Sequence, residues 1–398
     1  MGEGEIFMKS MRQPSICFVS PFAYPILVGE GGGPGGAERQ FFFFGREMKK
    51  QNWRVSYIVD RSSIKNKNLD TLLPVLTSSF KFMGGKNVYI IFDWLNLMLA
   101  MKRAQADYYV IKTPGHLSAP MAFFCKISKK KLVFWSQMSS DFNRSEKSNR
   151  TLANILHDWG VKNSDIVIGQ TKQQCQDFMN NYRKIIFHVP SMCGQILTMR
   201  KEIEGKENIA DVDILWVGNS LCKKRYEVVI ELARKMPDVT FVLAMNKAHL
   251  VRFEQAETES KSLENVRFLG QIPPYEMENW FDRSKIFLNT SSAEGFPNTF
   301  LQAWMNYLPV ISLEIDPDGV IAKRNLGRVV GADRTGNCRG NASCLAELLV
   351  PHVKMLLLDN GLRKCMGKEG KIYVTNNHFP DIATSSLLHA LTNQSTSI

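Results

Sequence analysis

The chain has 398 residues, 44% hydrophobic and 22% charged, a globular composition that excludes a collagen-like or intrinsically disordered polymer. It is longer than one ordinary hydrophobic core requires, so two domains are expected. The net charge of +12 lies entirely in residues 1–195, with 26 Lys+Arg against 14 Asp+Glu, while residues 196–398 hold 24 of each. A basic first half suits an anionic partner such as nucleic acid, a membrane surface or a phosphorylated lipid. Eight cysteines without a C-x-x-C pair predict reduced thiols in a cytosolic protein, and seven histidines without H-E-x-x-H spacing offer no metal site. The start, "MGEGEIFMKSMRQ", lacks the apolar run and cleavage site of a signal peptide.

In chain order, short apolar runs alternate with helix-like segments, the pattern of parallel sheets wrapped by helices. Strands are expected at 15–20, 55–60, 107–112, 131–136, 165–170 and 185–189, and again at 213–218, 239–245, 266–270, 285–290 and 309–314. The stretch "VYIIFDWLNLMLAM" (88–101) is too short to span a bilayer and contains Asp93, so it reads first as a buried helix, with an interfacial helix as the alternative. Between the two strand sets, "MRKEIEGKENIADVD" is polar enough to be a linker. The expected organisation is a basic Rossmann-like domain at 1–198, a linker at 199–212, and a second Rossmann-like domain at 213–375. A helix within 376–398 then packs on the body. Two doubly wound domains of this kind place a ligand in the cleft between them.

Three stretches carry chemistry. After the first strand, "GEGGGPGGAERQ" fits G-x-G-x-x-G at Gly31, Gly33 and Gly36, though Pro34 interrupts it and the strand is ten residues away. Gly35 and Gly36 let a backbone approach a ligand at a helix N-terminus. In the second half, "VGNSLCKKR" sets Lys223, Lys224 and Arg225 at a helix entrance, where cations are unfavourable unless an anion binds between them. In "SSAEGFPNTFLQAW" (291–304), a turn leads into a helix N-terminus able to hold a phosphate, and Glu294 stands beside it, placed to accept hydrogen bonds from hydroxyls. Two D-x-D sequences, Asp211-Val-Asp213 and Asp316-Pro-Asp318, read as turn chemistry rather than metal sites.

"PGGAERQ", "VGNSLCKKR" and "EGFPNTFLQAW", in this order and spacing, resemble the family-4 glycosyltransferases of GT-B fold across residues ~15 to ~390. The resemblance implies two Rossmann-like domains facing a central cleft, the first taking the acceptor and the second the donor. It implies a retaining, metal-independent hexosyl transfer from a nucleotide-diphosphate sugar, UDP- or GDP-linked, to a saccharide or lipid-linked saccharide in glycan or polysaccharide biosynthesis. No cofactor is needed. Glu294 would contact the donor sugar, Lys224 would neutralise the phosphates, and Gly295, Phe296, Pro297, Asn298 and Thr299 would hold the diphosphate. Three positions depart from the pattern: Gln302 replaces a ribose-reading glutamate, Asn219 replaces an arginine that Arg225 could substitute, and Gln137 stands near where a histidine is usual. Gln137 and His116 are the acceptor-side candidates. A cytoplasmic, peripheral membrane location through residues 1–195 is expected, with clusters at Lys102-Arg103 and Lys129-Lys130-Lys131. Two other classes stay open: a basic nucleic-acid-binding protein, and a nicotinamide-dependent oxidoreductase in which Asp60 would hold the ribose.

Overall fold

The computed structural model describes residues 13–28, 35–60, 90–112, 115–138, 151–194 and 211–392. Its first half runs β1 (Ser15–Val19), α1 (Tyr24–Leu27), α2 (Gly36–Lys50), β2 (Arg54–Ile58), α3 (Ile90–Ala104) and β3 (Tyr108–Ile111). It continues with α4 (Ser118–Ile127), β4 (Lys131–Trp135), α5 (Leu152–Lys162), β5 (Ile166–Gly169), α6 (Lys172–Tyr182) and β6 (Phe187–His188). The second half runs β7 (Val212–Asn219), α7 (Tyr226–Lys235), β8 (Phe241–Asn246), α8 (Leu250–Lys261), β9 (Val266–Gly270), α9 (Pro274–Asp282) and β10 (Ser284–Asn289). There follow α10 (Asn298–Met305), β11 (Val310–Ser312), α11 (Val320–Lys323), β12 (Gly327–Val329) and α12 (Ala332–Gly336). Three longer helices, α13 (Ala342–Leu358), α14 (Asn360–Asn377) and α15 (Pro380–Thr392), complete the described chain.

Two six-stranded parallel sheets result, in the orders β2-β1-β3-β4-β5-β6 and β12-β11-β10-β7-β8-β9. Their strands are apolar on both faces because helices cover both sides. On sheet one, α2 presents Phe41, Phe44 and Met48 to one face, at the i, i+3, i+7 spacing of a helical stripe. The other face is covered by Leu97 and Met101 of α3, Met121 of α4 and Phe178 of α6. Sheet two is clad by α7 and α13 on one side and by α9 and α10 on the other. The short strand β12 carries no periodic signal and was not expected from sequence.

Each sheet reverses its strand order once, between β1 and β3 and between β7 and β10. Loops at such a switch point diverge and leave a crevice at the strand C-termini. α15 does not stay with the second sheet. Its Ala383, Leu387, Ala390 and Leu391 join the core of the first, and the Tyr108 hydroxyl donates to the Leu391 carbonyl at 3.0 Å. The expected linker falls almost wholly on 195–210, outside the described residues, and β7 already begins at Val212.

Two expectations are corrected. Cys338 and Cys344 form a disulfide across the turn between α12 and α13, where the Cα atoms come within 5.5 Å; a five-residue gap carries no signature of this in sequence. The other six cysteines are free, with Cys222 and Cys365 exposed. α3 is also not a buried helix: only the stripe through Leu97, Ala100 and Met101 is covered, and its opposite face is in solvent.

Candidate active site between the two sheets

The loops following β7 and β10 are neighbours because those strands pair in parallel, Ile286 opposite Ile214 and Leu288 opposite Trp216. They lock together through the Lys223 carbonyl, which accepts from Ser292 N at 2.9 Å, and the Lys224 carbonyl, which accepts from Thr290 Oγ1 at 2.7 Å. Below them, Trp216 Nε1 donates to Thr290 Oγ1 at 3.0 Å, so the buried indole has its partner. The β7 loop then tightens into a single 3-10 turn over Cys222–Lys224, and Arg225 adopts φ 48° to start α7. This geometry carries Lys224 across to Glu294, and the two side chains form an ion pair while only 16% and 14% exposed.

Arg225 is held by a different set of contacts. Its Nε donates to the Thr290 carbonyl at 2.6 Å and its Nη1 to Glu314 at 2.6 Å, leaving Nη2 buried without a hydrogen-bond partner. Asn219 ends β7 with its side-chain oxygen accepting from Leu221 N at 3.2 Å, so it shapes the loop. Phe296 is buried against Trp304 and His378. Pro297 is the N-cap of α10, one position earlier than its usual place inside a helix, and Thr299 and Gln302 follow on that helix.

The first domain closes over this corner. A Cβ on Gly295 would lie 2.1 Å from the Gln137 carbonyl, so only glycine permits that approach. Asn298 Nδ2 donates to the Gly36 carbonyl at 2.8 Å and its Oδ1 accepts from Gln40 at 2.9 Å, binding the Gly35–Gly36 turn to α10. The resemblance implied that Asn298 holds the diphosphate; in the structure its side chain bridges the domains. Both oxygens of Asp318 accept the N–H groups of Lys172 and Gln173 at 3.0 Å, placing a carboxylate on the N-terminus of α6. Between these contacts lies a cavity of about 590 Å³, walled by Thr171, Lys172, Gln173, Glu294, Gly295, Glu314, Asp318 and Lys323.

The remaining candidates sit elsewhere. His116, in the turn before α4, is buried 3.6 Å from Asp93 of α3, and burial lowers its pKa. Gly31 and Gly33 lie outside the described residues. The D-x-D carboxylates are engaged: Asp211 by Arg283 at 2.8 Å, Asp213 by Lys285 at 2.7 Å, and Asp316 by the Ile321 N–H at 2.8 Å. Sequence reasoning missed Glu314, Lys172 and Lys323; the signal available for Lys172 and Glu314 was their place just after the C-terminal ends of β5 and β11. It also passed over Lys112, whose fully buried amine sits 4.8 Å from the Phe41 ring and 4.5 Å from that of Trp135. Burial lowers the Lys112 pKa to about 7, against the pull of Glu38.

Residues 211–347 match the family described as Glycosyl transferases group 1. A comparison with curated proteins finds none that matches in sequence. Among solved structures, a sucrose-phosphate synthase from Thermosynechococcus elongatus superposes with a TM-score of 0.71 at 14% identity, covering 96% of this chain and 100% of that one. WaaG, described as a glycosyltransferase involved in lipopolysaccharide biosynthesis, gives 0.65 at 15% identity, covering 95% and 99%. MnaA of S. aureus, solved with UDP, gives 0.61 at 11% identity, covering 95% and 96%. At these identities the likeness establishes the fold. The second sheet and its switch-point loops thus lie within the segment that matches the Glycosyl transferases group 1 model, in a chain with the two-domain GT-B fold.

Proposed function

We propose that this protein transfers a hexose-type sugar from a nucleotide-diphosphate sugar to a saccharide or lipid-linked saccharide, with retention and without a metal. The observation that carries the reading is the pairing of Lys224 and Glu294 from adjacent switch-point loops, at the wall of a cleft closed by Gln137. A diphosphate entering the cleft competes with Glu294 for Lys224, and the carboxylate is then free to accept from sugar hydroxyls. Lys224 and the N-terminus of α10 neutralise the charge that develops on the leaving diphosphate. The acceptor hydroxyl attacks the anomeric carbon as the bond to the diphosphate oxygen breaks. That phosphate takes the hydroxyl proton, so both bonds change on one face of the sugar. Gln302 on α10 is assigned to the ribose, where an amide both donates and accepts.

The family match favours this reading over a nicotinamide-dependent or nucleic-acid-binding one. UDP or GDP is the expected carrier, and the solved likeness to a protein holding UDP supports the former. We place the enzyme in the cytoplasm, peripheral on an anionic membrane through its first domain, in cell-surface polysaccharide or glycan assembly. A thermal-shift screen with UDP, GDP, ADP, CMP and NAD tests the class and the base together. Stabilisation by one nucleoside diphosphate, unaltered by EDTA, is expected; stabilisation by NAD alone would overturn the proposal.

A further inference from the structure

On α3, Ile91, Phe92, Leu95 and Leu99 are all exposed, and at 100° per residue they share one arc with Lys102 and Arg103. The neighbouring helix α4 exposes Phe123 and Ile127 beside Lys126. The next, α5, exposes Leu152, Ile155 and Trp159 beside Lys162. These large apolar side chains are between 43% and 65% exposed, and the three helices pack side by side on one face of sheet one. Soluble surfaces carry such residues singly, not as a band across three helices. The acids on these helices do not interrupt the band. Asp93 is fully buried, and Asp158 is half-buried and accepts from the Tyr182 hydroxyl at 3.2 Å.

We propose that this α3–α4–α5 face inserts its apolar side chains into an anionic lipid bilayer, with Lys102, Arg103, Lys126 and Lys162 on the headgroups. The inference deepens the reading of a lipid-linked acceptor and rests on it. An apolar band rimmed by cations matches hydrocarbon below and phosphate above. A second copy of the chain would instead bring the same cations against themselves across a two-fold axis. The direction of the helices adds the link to function. Each leads by a short turn into a parallel strand, so their C-termini, with the cations, lie at the strand N-termini. Their N-termini, with Ile91, Phe92 and Leu152, lie at the edge from which Gln137 reaches Gly295. A lipid-anchored acceptor in the bilayer is thereby held beside the lip of the cleft. The Lys129-Lys130-Lys131 run contributes less than its sequence implies, because Lys130 pairs with Asp107 at 3.0 Å and Lys131 with Asp165 at 3.1 Å.

Co-sedimentation with phosphatidylglycerol–phosphatidylcholine vesicles, against phosphatidylcholine alone, tests the surface using the full chain. The protein should bind the anionic vesicles and release as salt rises. Joint replacement Phe92→Ser, Leu95→Ser and Phe123→Ser, all at exposed positions, should cut partitioning at least tenfold at every salt concentration. Lys102→Ser with Lys126→Ser should flatten the salt dependence, whereas Lys130→Ser with Lys131→Ser should change binding less than twofold. Nucleoside-diphosphate stabilisation, measured on each variant, should stay unchanged; its absence in all of them condemns the transferase reading and leaves the vesicle result to be judged by itself. Wild-type protein remaining in the supernatant at low salt overturns the docking surface. So does a vesicle-free dimer that the apolar triple variant converts to monomer.

Discussion

Replacing Glu294 with alanine should separate two ligands that share one site. Its carboxylate pairs with Lys224 and lines the cavity, and it belongs to none of the four apolar clusters, so the fold should survive. Leaving Lys224 without its partner costs about 1–3 kcal/mol of stability, toward the low end because the amine lies at an open cleft. For a nucleotide sugar, loss of a charged hydrogen bond to the sugar costs about 1.5–3 kcal/mol, roughly 10- to 150-fold in affinity. A nucleoside diphosphate has no sugar to lose, and Lys224 no longer has to leave a carboxylate to reach it. Its affinity should therefore hold or rise. Titration calorimetry with both ligands, alongside a transfer assay, reads the difference. Transfer should be abolished; equal weakening of both ligands, or an active variant, would show that Glu294 does not face the sugar.

Lys224→Ala should weaken nucleoside-diphosphate binding strongly and nucleoside binding little, because its partner is phosphate; equal losses in calorimetry would assign it to the fold or the base. Gly295→Ala should push the domains apart, since a Cβ 2.1 Å from the Gln137 carbonyl needs more than an ångström of relief. Transfer should drop at least tenfold while thermal stability changes little, and an unaltered rate would mean that this contact is not part of the working cleft. His378 supplies a pH dependence of stability. Burial lowers its pKa from 6.5 to about 4, against its bond to the Ser191 carbonyl at 2.8 Å. The unfolded chain therefore takes up the proton first as pH falls, and the folded state loses up to about 3 kcal/mol between pH 6.5 and 4. Urea midpoints at pH 7.5 and 5 should differ by less in His378→Gln, and an unchanged difference would place the titration elsewhere.

Much of this protein is determined locally. Runs such as "ICFV" and "IFL" are apolar at every position because helices cover both faces of their sheets, so the strands and the two-domain division could be read along the chain. "EGFPNTFLQAW" announced a turn and a helix start because proline and glycine act on their own backbone. The tertiary structure decided what faces what. Lys224 and Glu294 are 70 residues apart, and they meet because β7 and β10 pair across the switch point. Asn298 and Asp318 became bridges between domains only once the second sheet lay against Gly36 and α6. The apolar stretch on α3 could not reveal which of its faces was covered, since helical periodicity sorts residues into stripes without saying which stripe finds a neighbour. Sheet one took Leu97 and Met101, leaving Phe92 and Leu95 outside, because one helix cannot bury all of its circumference against one sheet.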